Sequence, residues 1–197
     1  MTMRLRAVFT TILICCSGPA FSEGLSLGVK GGVNFANVTF EKTDAAKAKW
    51  LPVAGVFVTL PPTLGISLQP EVLYSQKGAS LGAGQASVIL DYLEVPVLAR
   101  RSMTVLGHRL YFAGGPSFAL RLRARTRVVF DDVTEEIDTS DDVSRFDVGV
   151  AAGGGVEFGS LVFDARYTFG LTDIDKDKAA DAKSRNRVLS LTGGWRF

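Results

Sequence analysis

The last eleven residues of the chain, 187–197 (RVLSLTGGWRF), alternate with a period of two. Phe197, Trp195, Gly193, Leu191 and Leu189 make a largely apolar row, and Arg196, Gly194, Thr192, Ser190 and Val188 a largely polar one. Successive side chains of an extended strand point to opposite faces, so this segment reads as a strand with a different solvent on each face. Residues 161–171 repeat the pattern more cleanly: Leu161, Phe163, Ala165, Tyr167, Phe169 and Leu171 alternate with Val162, Asp164, Arg166, Thr168 and Gly170. The same alternation runs through 25–36, 64–76, 87–100, 109–123 and 145–158. Residues 50–60 form a further strand whose two faces are less distinct. Pro61 and Pro62 end it, because neither can donate to a ladder. Eight strands are predicted.

The connections run, in order, long, short, medium, short, long, short, long. Antiparallel strands put alternate connections at the same end, so the short ones share one rim and the longer ones the other. An even strand count also brings both termini to the short-turn rim. Strands about ten residues long, short turns on one side and long loops on the other are the pattern of an outer-membrane barrel. The predicted fold is therefore all-β: an eight-stranded antiparallel up-and-down transmembrane β-barrel with short periplasmic turns and longer extracellular loops. Residues 124–144 and 172–184 are the longest polar loops, and Val128, Val129 and Phe130 extend the fifth strand past the membrane. Alternation alone does not separate inside from outside. With the faces reversed, the same chain is a soluble periplasmic lipocalin-like barrel holding an apolar ligand.

The first stretch lies outside this pattern. Arg4 and Arg6 precede an apolar run over 7–16, Gly18 and Pro19 break it, and Ala20 and Ser22 are small residues at signal-peptidase positions. Residues 1–22 read as a cleaved signal peptide, leaving 23–197 as one barrel domain. A lipoprotein reading is disfavoured because Cys15 precedes Cys16 where a small residue is wanted. Both cysteines fall in the signal, so the exported domain has no disulfide or thiolate chemistry. Taking Arg4 and Arg6 from the 22 basic residues leaves 20, equal to the 20 acidic ones, so charge gives no argument for a nucleic-acid partner and none is expected.

Glycine pairs and triplets at 31–32, 114–115, 153–155 and 193–194 fall mid-strand, where they relieve crowding in a narrow barrel. The triplet is not followed by the Lys-Ser/Thr of a phosphate loop. The strand pattern, the segments GVKGGVN (28–34), QPEVLYSQKG (69–78) and YLEVPVL (92–98), and the closing Trp-Arg-Phe resemble the PorT-type outer-membrane β-barrel family of small porin-family proteins. The resemblance covers essentially the whole mature chain. It implies an eight-stranded barrel in a Gram-negative outer membrane and supplies no catalytic residues. It also implies that the terminal aromatic residues, Trp195 and Phe197, are read by the outer-membrane assembly machinery.

The polar rows gather Lys30, Glu71, Glu94, Arg100, Arg121, Arg123, Asp147, Glu157, Asp164, Arg166 and Arg196. In so small a barrel side chains fill the lumen, and buried charges must pair. The expected role is a salt-bridge plug. The alternative is a narrow gated pore for small solutes, with Glu71, Glu94, Asp164 and Arg166 as its first candidates. The single histidine, His108, falls in a predicted periplasmic turn, which argues against an enzyme. Asp173, Asp175 and Asp177 lack the glycine and closing glutamate of a calcium loop, so no metal and no cofactor are expected. The acidic stretch 131–142 offers an external partner a charged surface. Trp50, Tyr74, Phe163, Phe169, Trp195 and Phe197 suit aromatic girdles. The function expected is non-enzymatic, structural or surface-interactive, with outer-membrane lipid and lipopolysaccharide as surroundings.

Overall fold

The computed structural model describes residues 24–39, 47–81, 86–130, 133–138, 144–172 and 185–197. Residues 1–22, expected to be a signal peptide, the Asp173 to Asp177 alternation and much of 124–144 and 172–184 lie outside the described residues. The described residues form nine strands: β1 (Ser26–Thr39), β2 (Lys47–Thr59), β3 (Ser67–Leu81), β4 (Ala86–Val105), β5 (His108–Phe130), β6 (Val133–Asp138), β7 (Phe146–Phe158), β8 (Leu161–Gly170) and β9 (Arg185–Arg196). Eight of them pair antiparallel in the order β4-β3-β2-β1-β9-β8-β7-β5, and the β4–β5 pairing closes the ring. The ninth, β6, pairs with the far end of β5 alone. It occupies part of the connection expected to be irregular. Its β-branched Val133, Thr134 and Ile137 favour an extended backbone, a preference masked in sequence by the acidic residues among them.

Facing is decided unambiguously. On β1, Leu27, Val29, Val33 and Phe35 are exposed while Lys30 and Asn34 are buried. On β8, outward Leu161, Phe163 and Tyr167 alternate with buried Asp164, Arg166 and Thr168. The apolar rows face out and the charged rows face in, which is the reverse of a soluble carrier with an apolar interior. β2 was hard to orient because both of its faces are apolar. Leu51, Val53 and Phe57 point inward, and Trp50 and Val56 point outward.

Three tight turns share one rim with Gly24 and Phe197. At Leu106-Gly107 both central residues have positive φ, 51° and 82°, the mirror-image turn whose twist matches that of its strands. Gly159-Ser160 is the two-residue hairpin that the sequence predicts. At the other rim the medium loop expected over 77–86 is mostly strand, since β3 runs to Leu81 and β4 begins at Ala86. β4 and β5 reach 20 and 23 residues, against the roughly 9–11 needed to cross a bilayer. The surplus projects from the outer rim as a β3–β6 extension.

Mid-strand glycines make room for particular rings. A Cβ on Gly28 would collide with the Phe57 ring, and one on Gly155 with the Tyr111 ring. The seam closes as the terminal strand predicts: Val29 faces Trp195, and the Phe197 N–H donates to the Leu27 carbonyl at 2.8 Å.

Candidate functional site in the barrel lumen

Each strand delivers one inward side chain every second residue, so side chains from different strands meet in layers. At the centre, Glu71 of β3 meets Arg166 of β8. These strands lie on opposite sides of the ring. The pair is bidentate, with Arg166 Nη1 donating to Oε2 at 2.8 Å and Nη2 to Oε1 at 3.0 Å. Lys30 Nζ of β1 sits 2.7 Å from the same Oε2, and Gln69 Nε2 donates to Oε1 at 2.8 Å. On the far side Arg166 Nη2 lies 3.2 Å from Asp164 Oδ1, while Tyr111 of β5 donates its hydroxyl to Asp164 Oδ2 at 2.8 Å. Glu71 is 1 % exposed, so its charge would be prohibitive without these partners. Their planar, forked geometry satisfies both carboxylate oxygens at once.

Toward the periplasmic rim the Arg100 guanidinium lies 3.7 Å from the Tyr111 ring centroid, donates to Gln69 Oε1 at 2.9 Å, and pairs with Glu157 Oε1. Arg196 Nη1 donates to Glu157 Oε2 at 2.8 Å. Arg109 Nη1 stands 3.8 Å from that oxygen and is largely exposed. Phe57, Leu98, Tyr111, Ala113, Ala151 and Val162 pack together as an apolar cluster in this half of the lumen.

Toward the outer rim the ion pairs are between neighbours. Lys77 of β3 pairs with Glu94 of β4 at 3.2 Å, and Ser117 of β5 donates to Glu94 at 2.7 Å. On the outward face of the same strands Asp91 of β4 pairs with Arg125 of β5 at 3.1 Å, beside Gln76 and the exposed Tyr74. Asn34 donates to Ser75 Oγ at 2.9 Å and accepts from Ser190 at 2.7 Å. Leu90, Tyr92, Ala119 and Ala124 form a second buried apolar cluster at this end.

Of the charged residues read from sequence, Lys30, Glu71, Glu94, Arg100, Asp147, Glu157, Asp164 and Arg166 are buried in the barrel. Arg121 and Arg196 are partly buried. Arg123 is not in the lumen; it is exposed. The β4–β5 register shifts at Asp91/Tyr92, which face Arg123 and Arg121 respectively, so Leu122 is an extra residue. This bulge reverses the alternation beyond it, turning Arg123 out and Ala124 in. Asp147 accepts a hydrogen bond from Thr172 Oγ1 at 2.6 Å. His108 is exposed at the turn, its ring 4.7 Å from that of Phe158. Trp50 stacks edge-on against Phe35 at 5.1 Å, and Phe163 against Phe158 at 6.3 Å. Trp195 and Phe197 are exposed beside the seam.

Sequence reasoning missed Lys77 in the lumen and the outward-facing pair Asp91–Arg125. Lys77 continues the inward parity of Glu71, Leu73 and Ser75, and the signal was lost by ending the third strand at Gln76. The polar partners Gln69, Asn34 and Tyr111 were also missed as members of the network. Nothing but the ring closure shows which of them meet.

Comparison with known proteins places this geometry. Searching curated proteins finds no match. Among solved structures the chain is similar to Neisserial surface protein A, at 13 % identity over 89 % of this chain and 100 % of that one, with a TM-score of 0.50. It is also similar to Ail, the attachment invasion locus protein of Yersinia pestis (14 %, 88 % and 99 %, TM-score 0.49), and to OprG from Pseudomonas aeruginosa (13 %, 88 % and 96 %, TM-score 0.45). A family model described as the outer membrane protein beta-barrel domain matches residues 18–176. With that match over most of its length and its apolar rows turned outward, the chain is a bacterial outer-membrane protein and belongs to the outer membrane protein beta-barrel domain family.

Proposed function

We propose that this barrel is a non-enzymatic, non-conducting anchor that holds an extracellular surface for interaction, and that it is a PorT-type member of its family. The observation that carries the reading is the contrast along the barrel axis. The lumen is crossed by ion pairs between opposite strands, while β4 and β5 run far beyond the bilayer. A pore needs a continuous aqueous path, and the bidentate Glu71–Arg166 brace crosses the middle of that path. A surface role needs projection, which the β3–β6 extension supplies, and the segments 124–144 and 172–184 are the stretches through which an extracellular partner would bind. Residues 1–22 act as the cleaved export signal in this reading. The exposed Arg123, Arg145 and Arg187 near the outer rim are suited to lipopolysaccharide phosphates.

Planar-bilayer recording of the purified barrel tests the closed lumen: no stable conductance is expected. A steady single-channel current in the unaltered protein would replace this reading with the small-solute pore. The aromatic terminus has a separate test. Deleting Phe197 should sharply reduce the heat-modifiable form in cell membranes while leaving refolding into detergent nearly intact, as expected of a signal for the assembly machinery. Equal membrane assembly of the truncated chain refutes that role.

A further inference from the structure

The charges of the lumen are not evenly distributed along its axis. Between its centre and the periplasmic mouth the described residues place five basic side chains, Lys30, Arg100, Arg109, Arg166 and Arg196, against three acidic ones, Glu71, Glu157 and Asp164. Lys30 and Arg166 are committed to Glu71 and Asp164. The surplus therefore sits at the mouth, where Arg100, Arg109 and Arg196 all converge on the single carboxylate of Glu157.

These three arginines line a cavity of about 520 Å³ that opens at the rim of the short turns. Its wall is completed by the last inward positions of the strands, among them Ser26, Ser67 and Thr104. No carboxylate lines it among the described residues. Arg100 is only 2 % exposed, yet its Nε has no hydrogen-bond partner among the described residues. A buried guanidinium donor left unpaired costs free energy comparable to a lost hydrogen bond. Two uncompensated positive charges in a concave, partly desolvated space attract an anion strongly.

We propose that this periplasmic vestibule is a binding site for a phosphate group. Guanidinium forks match phosphate oxygens, and surrounding hydroxyls can donate to the remaining ones. Arg100, fixed by Glu157, Gln69 and the Tyr111 ring, is the rigid floor of the site. Arg109, held among the described residues by the 3.8 Å contact alone, is the adjustable clamp. The vestibule opens where the barrel meets the inner, phospholipid leaflet, so the phosphate can belong to a lipid headgroup or to a soluble phosphate ester.

The test uses the mature barrel in an uncharged maltoside detergent at low ionic strength, titrated with inorganic phosphate and followed by calorimetry and ³¹P line width. Saturable one-site binding is expected. Arg109→Gln should bind about tenfold more weakly, the loss of one charge-assisted contact. Arg187→Gln, at the opposite rim, should bind as the unaltered chain does. Retained gel heat-modifiability shows that both variants are folded. A second arm extracts each protein from phosphatidylethanolamine and phosphatidylglycerol vesicles for native mass spectrometry. Lipid retained by the unaltered chain and lost from Arg109→Gln assigns the site to a headgroup. Saturable phosphate binding without retained lipid assigns it to soluble phosphates. Unsaturable phosphate binding without Arg109-dependent lipid retention overturns the proposal, as does binding equal in Arg109→Gln and the unaltered chain.

Discussion

The two ends of the lumen use the same residue types to different effect. In the centre and lower half, several partners come from strands that are not neighbours: β3 to β8 for Glu71–Arg166, β4 to β7 for Arg100–Glu157, and β5 to β8 for Tyr111–Asp164. These contacts act as struts across the ring and fix its cross-section. At the outer end the ion pairs join adjacent strands, Lys77–Glu94 inside the lumen and Asp91–Arg125 on the outward face, and an apolar cluster fills the lumen. They reinforce the sheet locally as it leaves the membrane. A strut spans two strands that no backbone ladder joins, so it alone holds them at that spacing. A tie between adjacent strands is backed by the backbone ladder beside it.

That difference can be broken from the strongest member downward. Arg166→Met leaves Glu71 with Lys30 and Gln69 alone and should cost about 3–5 kcal/mol, read as a lowered urea midpoint in micelles. Adding Lys30→Met and Glu71→Leu removes the other charges that meet at Glu71 and leaves Asp164 its hydrogen bond from Tyr111, so much of the loss should return. A triple variant as weak as the single would show that the brace is not what holds the cross-section. Lys77→Met leaves Glu94 its hydrogen bond from Ser117, and about 2 kcal/mol is expected from the same unfolding measurement. A cost matching that of Arg166→Met would erase the distinction between strut and tie. Arg125→Ala, whose side chain is 29 % exposed, should cost about 0.5 kcal/mol, diminishing further in high salt. A salt-independent loss well above that would place Asp91–Arg125 among the struts.

Much of the barrel was legible because a strand reports its own facing. The rows on β8 and β9 gave the membrane face residue by residue, and the lengths of the connections gave the orientation of the termini. The bulge at Leu122 shows where such reading stops. It is produced by a register shift between two strands, so nothing local to Arg123 announces that it turns outward. Lys77 shows a different limit: a Lys-Gly pair before a glycine-containing stretch has the composition of a loop, and only continued pairing with Leu90 and Ile89 keeps it in the sheet. β2 shows a third, because two apolar faces carry no contrast for alternation to reveal.

The strand pattern, both rims, the closing seam and most of the charged residues destined for the lumen were determined by the sequence alone, since each follows from parity along one strand. Which charges meet was decided only by the tertiary structure. Closure of the ring sets Glu71 opposite Arg166 across 95 positions of chain, and gathers Arg100, Arg109 and Arg196 around one carboxylate. Parity belongs to a single strand; partnership in a barrel depends on the register of every pairing between the two strands concerned.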